Sequence, residues 1–227
     1  MTFRSIGITL VIALAFLGVS AALTRSAAGA STSIQPPTMD DTLSAQPGQQ
    51  TAVVAGGCFW GIQLVFEHVK GVISATDGYS GGDAKTAQYE TVSTGTTGHA
   101  ESVKIVYDPS KITYGRLLQV FFSVAHDPTE FDRQGPDEGT QYRSVIFYAD
   151  QDQQRIALAY IAQLEEQQAF KRKIVTQVVP LQAFYEAEAY HQDYATHNPG
   201  DMYIMMNDAP KLDSLKKTFP DLYVKNR

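Results

Sequence analysis

Cysteine is almost missing from this 227-residue chain: Cys58 stands alone. A single thiol excludes an internal disulfide, a Cys-x-x-Cys redox pair, a zinc site built on several cysteines and an iron–sulfur cluster. Basic charge is short as well, with 18 Lys and Arg against 24 Asp and Glu and a formal net charge of −6. Acidic residues are absent from the first thirty positions, which carry only Arg4 and Arg25, so the remainder holds 16 basic against 24 acidic residues. An acidic body lacks the cationic footprint that nucleic-acid binding requires, and no such partner is expected. Aromatic bulk is plentiful: 12 Tyr and 11 Phe can fill a core, which excludes wholesale disorder.

The charge-poor start has its own logic. Arg4 precedes an uncharged run from Ile6 to Leu23, followed by small residues. A positive start, an apolar middle and a small-residue site make the layout of a secretory signal. Val19-Ser20-Ala21 and Ala28-Gly29-Ala30 both fit the cleavage rule. The run of about eighteen uncharged residues also reaches spanning length, so an uncleaved anchor is the alternative. Residues 1–30 are therefore read as a signal peptide or anchor and the body as exported, periplasmic or secreted, touching a membrane only if the segment is kept. Residues 31–50, rich in proline and small polar groups and free of aromatics, are expected to be a flexible linker. One folded domain follows over 51–227, and a monomer is expected.

Within that domain, 51–55 is a β-branched run ending in Gly56-Gly57, a strand entering a tight turn. Phe59, Ile62, Val65, Phe66 and Val69 then recur at helical spacing, with Gly71 in the C′ role. Strands are predicted over 72–79, 102–107, 142–148 and 174–179, and helices over 112–124 and 150–170, the last capped by Asp150 with Gln153 three residues on. Residues 84–98 and 126–140 read as loops. This order predicts an α/β (α+β) fold with a mixed sheet, a ferredoxin-like core flanked by helices and long loops.

Cys58 sits where strand becomes helix, directly after two glycines. There the free backbone N–H groups and the positive end of the helix dipole favour thiolate over thiol. Phe59 and Trp60 beside it can wall a small apolar pocket, although core packing is the commoner fate of an aromatic. Glu101 precedes an alternating strand, so its side chain can point inward.

Gly57-Cys58-Phe59-Trp60-Gly61 resembles the signature of the A-type peptide methionine sulfoxide reductases. Gly-His-Ala-Glu at 98–101, Gly-Thr-Gln-Tyr-Arg-Ser at 139–144 and Tyr-His-Gln-Asp-Tyr at 190–194 match the same family in the same order, as do the strings at 78–82 and 107–112. The resemblance spans 51–227. It implies Cys58 as the nucleophile on the sulfoxide sulfur and Glu101 as the acid on the sulfoxide oxygen. It further implies Tyr89, Asp137 and Tyr142 around that oxygen, with Phe59 and Trp60 receiving the terminal methyl. Methionine-S-sulfoxide, free or in proteins, would be the substrate. No cofactor or metal is implied; reducing equivalents would come from a thioredoxin-like protein or a small dithiol. Many family members carry further cysteines near the C-terminus. The tail from His197 to Arg227 has none, which resembles the single-cysteine branch.

Two rival readings use the same residues. A hydrolase or acyltransferase would pair Cys58 with one of His68, His99, His126, His191 or His197. A non-catalytic secreted module would grip methionine side chains in the aromatic pocket. The His99-x-Glu101 pattern of zinc deaminases is set aside, because the downstream Pro-Cys-x-x-Cys is absent.

Overall fold

Pairing of the central strands follows from their side chains. In the computed structural model, which describes residues 34–225, β1 (Gln50–Ala55) lies antiparallel to β3 (Ala100–Tyr107), with Val54 opposite Val103 and Val53 opposite Lys104. The first pair faces a buried layer and the second its reverse, as a period of two demands. β3 also pairs antiparallel with β2 (Val72–Ser80), and β1 with β6 (Val145–Tyr148). These four strands run β6-β1-β3-β2. With α1 (Phe59–Glu67) after β1 and α3 (Tyr114–Val120) between β3 and β6, they form a ferredoxin-like core. β7 (Gln177–Pro180) adds a parallel strand beside β6, and β8 (Tyr185–Glu186) an antiparallel one beside β2, which makes the sheet mixed.

One face of the sheet is covered by helices. Phe59, Ile62, Val65 and Phe66 of α1, Leu117 and Leu118 of α3 and Ile156, Tyr160 and Leu164 of α4 (Gln151–Glu166) form one core with Ala52, Val54, Val103 and Ile105. Val53, Ala55, Val145 and Phe147 face the other way, under Val179, Leu181 and Phe184. Asp150 caps α4 by accepting the N–H of Gln153 at 2.9 Å, as expected.

Several boundaries differ from the sequence reading. Residues 84–98 contain a short helix, α2 (Tyr89–Val92), too brief to show helical spacing. The helix expected to 124 tightens into α3 and then widens into a π-type turn over Phe121–Ala125. α1 ends at Glu67 with His68 as its cap, so Gly71 serves the next turn instead. Residues 126–140 hold a small hairpin of β4 (Arg133–Gln134) and β5 (Asp137–Glu138).

The expectation of a flexible linker over 31–50 is corrected for the described part. From Ile34 the chain is docked as an extended strap across α3 and α4. Gln119 Nε2 donates to the Ile34 carbonyl at 2.6 Å, Tyr160 Oη to Gln35 at 2.8 Å and Gln163 Nε2 to Pro36 at 2.9 Å. Asp40 accepts the Gly115 N–H at 2.7 Å and the Thr113 hydroxyl at 2.5 Å, at the start of α3. Proline composition predicts an extended backbone, and an extended backbone presents its carbonyls to whatever donors lie beneath. Residues 1–33, with the signal-like run and both cleavage motifs, lie outside the described residues. Among the described residues, no helix is long and apolar enough to cross a membrane.

Candidate active site

The β1–α1 turn sets the position of Cys58. Gly57 adopts φ +100°, and a Cβ there would come within 2.5 Å of Gln134. Only glycine turns the chain so sharply against that side chain. Cys58 is then the N-cap residue of α1, one position before the helical turn in which it was expected, and is 9% exposed. The backbone N–H groups of the first turn act on Cys58 and on Glu101. Phe59 N–H donates to Glu101 Oε2 at 3.1 Å, and the Trp60 N–H favours the Cys58 thiolate without closing a cap hydrogen bond to its side chain.

Glu101 lies inside β3, opposite Tyr79 and on the helix-covered face, with 2% exposure. Burial raises its carboxyl to about 8; the Phe59 N–H bond opposes that shift and the charge of Asp137 adds to it. At neutral pH the buried group therefore holds a proton, which suits an acid catalyst. The expectation that the helix end favours a thiolate is corrected for the free protein. Burial, then the carboxylates of Glu101 and Asp208, push the Cys58 thiol well up, and the Trp60 N–H and Lys211 only partly offset them.

The other expected residues converge. Tyr89, at the start of α2, is half-buried and its phenol is raised by burial and by Glu101. Tyr142 is held just before β6 and raised by burial, then by Glu101, Asp137 and Cys58. Asp137 of β5 accepts a hydrogen bond from Tyr203 Oη, a partner the sequence reading missed. Arg143 ties the two loops together, donating to the carbonyls of Gly98 at 2.8 Å, His99 at 3.0 Å and Thr140 at 2.8 Å.

Phe59 is buried in the core, so it backs the pocket rather than lining it openly. Trp60 is half-buried, stacked on Tyr194 at 4.0 Å between ring centroids and edge-on to Tyr203 at 6.2 Å. His191 closes the box, 5.1 Å from Phe59 and 4.5 Å from Tyr89. Trp60 Nε1 and both ring nitrogens of His191 are buried without a hydrogen-bond partner, polar atoms of the kind a bound molecule satisfies. Gln192 carries this segment: it accepts from Asp77 N at 3.0 Å and donates to Asp77 O at 3.0 Å, pinning 190–194 to β2. Glu188 likewise takes the Tyr79 hydroxyl at 2.9 Å and the Tyr89 N–H at 2.9 Å. Glu188 and Tyr203 stand outside every motif and carry no periodic signal, so the sequence gives no sign of them; His191 and Tyr194 lie in the 190–194 motif, which by itself assigns them no place in the box.

No histidine is hydrogen-bonded to Cys58 among the described residues. His126 is spent on Phe121 O and Ser144 Oγ, at 3.1 and 2.7 Å, and is held neutral by burial. His99 bonds Gly82 N and Asp83 O, and His68 bonds Leu64 O. The partner brought to Cys58 is a carboxylic acid. Nor do any three His, Cys, Asp or Glu among the described residues group closely enough to hold a metal ion.

The profile of the family described as peptide methionine sulfoxide reductase matches residues 50–222, the whole span over which these groups converge. The chain belongs to that family. This reductase is 58% identical over 179 residues to peptide methionine sulfoxide reductase MsrA 2 of Mesorhizobium japonicum, covering 79% of this chain and 92% of that one. It is 52% identical to MsrA 2 of a Synechocystis species, over 77% and 81% of the two chains. Among solved structures, methionine sulfoxide reductase A of Corynebacterium diphtheriae superposes with a TM-score of 0.58 at 36% identity, over 68% of this chain and 77% of that one. Reduced Mxr1 of Saccharomyces cerevisiae gives 0.60 at 30% identity, over 72% and 92%. The α/β reading of the reductase, with its mixed six-stranded sheet, agrees with both folds.

Proposed function

We propose that this reductase converts methionine-S-sulfoxide, free or in proteins, to methionine, with Cys58 as nucleophile and Glu101 as proton donor. The observation that carries the assignment is the pairing of the chain's one thiol with a buried carboxyl raised to about 8, which accepts the Phe59 N–H in the turn that follows Cys58.

A sulfoxide oxygen leaves poorly unless a proton arrives as sulfur is attacked. The Cys58 sulfur bonds to the sulfoxide sulfur while Glu101 protonates the oxygen. Transfer of that oxygen to Cys58 releases methionine and leaves a sulfenic acid. A proton on Glu101 also removes the charge that most opposes thiolate formation after burial itself, so the acid and the nucleophile are coupled. Tyr89 and Tyr142 place phenol donors in the field of the same carboxylates, and Asp137 with Tyr203 orients that side of the cavity. Trp60, backed by Phe59, offers the apolar wall for the terminal methyl.

The sulfenic acid meets no second thiol in this chain. An external thiol forms a mixed disulfide at Cys58 and releases water; a second thiol from the reductant then frees Cys58. A thioredoxin-like protein or a small dithiol supplies both electrons. The signal-like layout of residues 1–30 supports a location outside the cytosol, where the enzyme would repair oxidised proteins and where an exported or membrane-linked reductant suits the oxidising surroundings better than a glutathione pool. The deciding experiment is reduction of chirally resolved methionine sulfoxide peptides with a chemical dithiol. Turnover of the S epimer alone is expected; reduction of the R epimer at a similar rate would overturn the assignment.

A further inference from the structure

The docked strap roofs a cavity of about 400 Å³ at the end of the sheet remote from Cys58. It is lined by Gln50 at the start of β1 and Tyr107 at the end of β3, whereas Cys58 follows the end of β1 and Glu101 opens β3. Tyr107 and Tyr114, each 1% exposed, present their phenols to it. Carboxylates come from Asp41 of the strap and from Asp150 and Asp152 at the start of α4; no lysine or arginine is in the lining. Burial, then Asp40, Asp152 and Asp150, raise the Asp41 carboxyl, so the negative charges there are felt mutually. Arg155 pairs with Asp152 at 2.7 Å on the exposed rim and offsets the Asp41 shift only in part.

Three carboxylates alone would be an ordinary acidic surface. Tyr114 is what distinguishes this place. The Tyr107 hydroxyl is satisfied by Gln50 Oε1 at 2.8 Å, whereas the Tyr114 hydroxyl, on a side chain that is otherwise buried, bonds no described residue and opens into the cavity. Such a hydroxyl takes its hydrogen bond from whatever fills the cavity, water or a ligand. The carboxylates are too dispersed to converge on a metal ion, which suits a cation with a longer organic body.

We propose that this cavity binds a small organic cation, a primary alkylammonium. Its N–H groups donate to Tyr114 Oη and to the carboxylates of Asp41 and Asp150, and its methylenes lie along the two phenol rings, whose faces also attract the charge. Because Asp41, Thr42 and Ser44 belong to the strap while Tyr107 and Tyr114 belong to the domain, an occupant clamps one to the other. The proposal is independent of the chemistry at Cys58.

Isothermal titration of the full chain with putrescine tests it, with 1,4-butanediol as the neutral isostere and N-acetyl-lysine methylamide as the analogue of a protein side chain. Saturable one-to-one binding of an amine is expected, with none for the diol. Tyr114→Phe should weaken binding by about tenfold, the worth of a hydrogen bond to a charged group. Asp41→Asn, an exposed change that leaves folding intact, should weaken it by about threefold. The amine should also slow proteolysis within residues 39–48. The tighter of the two amines identifies the source as a free metabolite or a presented lysine. Absence of saturable heat, equal binding of the diol, or affinity unchanged in both variants would overturn the proposal. Sulfoxide reduction should be normal in both.

Discussion

Glu101 and Cys58 together set the pH behaviour of the reaction. With Glu101 raised to about 8, its proton is present at neutral pH and is lost above that value. Single-turnover release of methionine should therefore decline as pH rises through about 8, and rapid-quench measurements from pH 6 to 9.5 check this. Glu101→Gln should cut the step by roughly 10²- to 10⁴-fold, the usual worth of a positioned acid, and should abolish that decline. Cys58→Ser should eliminate turnover with the fold retained, because an alcohol is not ionised near neutrality; activity close to wild type in a peptide assay would refute the role. At this scale the sequence pointed to residues that the fold brings together but misjudged one protonation state. The helix-end donors it predicted are present, yet burial and the carboxylates of Glu101 and Asp208 outweigh them. Both depend on what the fold stacks over the turn. Asp208 itself shows the point: it presses so closely on α1 that a Cβ at Gly61 would fall 2.0 Å from its carboxylate oxygen.

At the scale of elements, the strap is the largest departure from expectation. Asp40 acts as a long-range cap, accepting the second N–H of α3 and the hydroxyl of Thr113. Removing a capping oxygen commonly costs about 0.5–2 kcal/mol. Asp40→Ala should lower the unfolding free energy by about that amount in urea titrations, with the rate of sulfoxide reduction unchanged, because the strap lies far from Cys58. A flexible linker would show no effect. The Gly57 turn makes the complementary case. Gly57→Ala forces a left-handed backbone on a residue with a Cβ and drives that Cβ into Gln134. Loss of activity should exceed loss of stability, since the next residue is the proposed nucleophile; comparing kcat/KM with the denaturation midpoint separates the two.

For the whole molecule, buried titratable groups predict how stability follows pH. The folded carboxyl of Glu101 is raised, so its contribution is complete below the ordinary carboxylate value of 4.5 and is lost as pH climbs to about 8. His126 is lowered to about 3 by burial, so its contribution is complete above 6.5 and is lost as pH falls toward 3. Denaturation midpoints from pH 4 to 9 should decline on the alkaline side, and Glu101→Gln should flatten that side alone. Recycling is also a property of the whole chain. With Cys58 its one thiol, wild-type enzyme without reductant should release one equivalent of methionine and stall with a dimedone-reactive sulfur; sustained turnover would defeat the mechanism. Mass spectrometry of the mature protein should find it beginning at Ala22 or Ser31, and an intact Met1 species in the membrane fraction would favour the anchor.

Alternating β-branched and apolar positions, helical spacing after Cys58 and the capping pattern at Asp150 are local signals. They carried the order of the main elements and the ferredoxin-like core, because period and capping act over a few residues. The four motifs around Cys58, Glu101, Tyr142 and His191 carried the chemistry for the same reason. Only the tertiary structure decided what those residues face. β3 turns Glu101 inward under α1, Arg143 locks two distant loops together, and Gln192 pins the segment bearing His191 and Tyr194 to β2. Tyr203 reaches Asp137 across 66 positions of chain, and the strap finds its donors on α3 and α4 across still greater separations. Burial, and the proton affinities it sets, arise from contacts between segments far apart in sequence, so no local pattern could announce them.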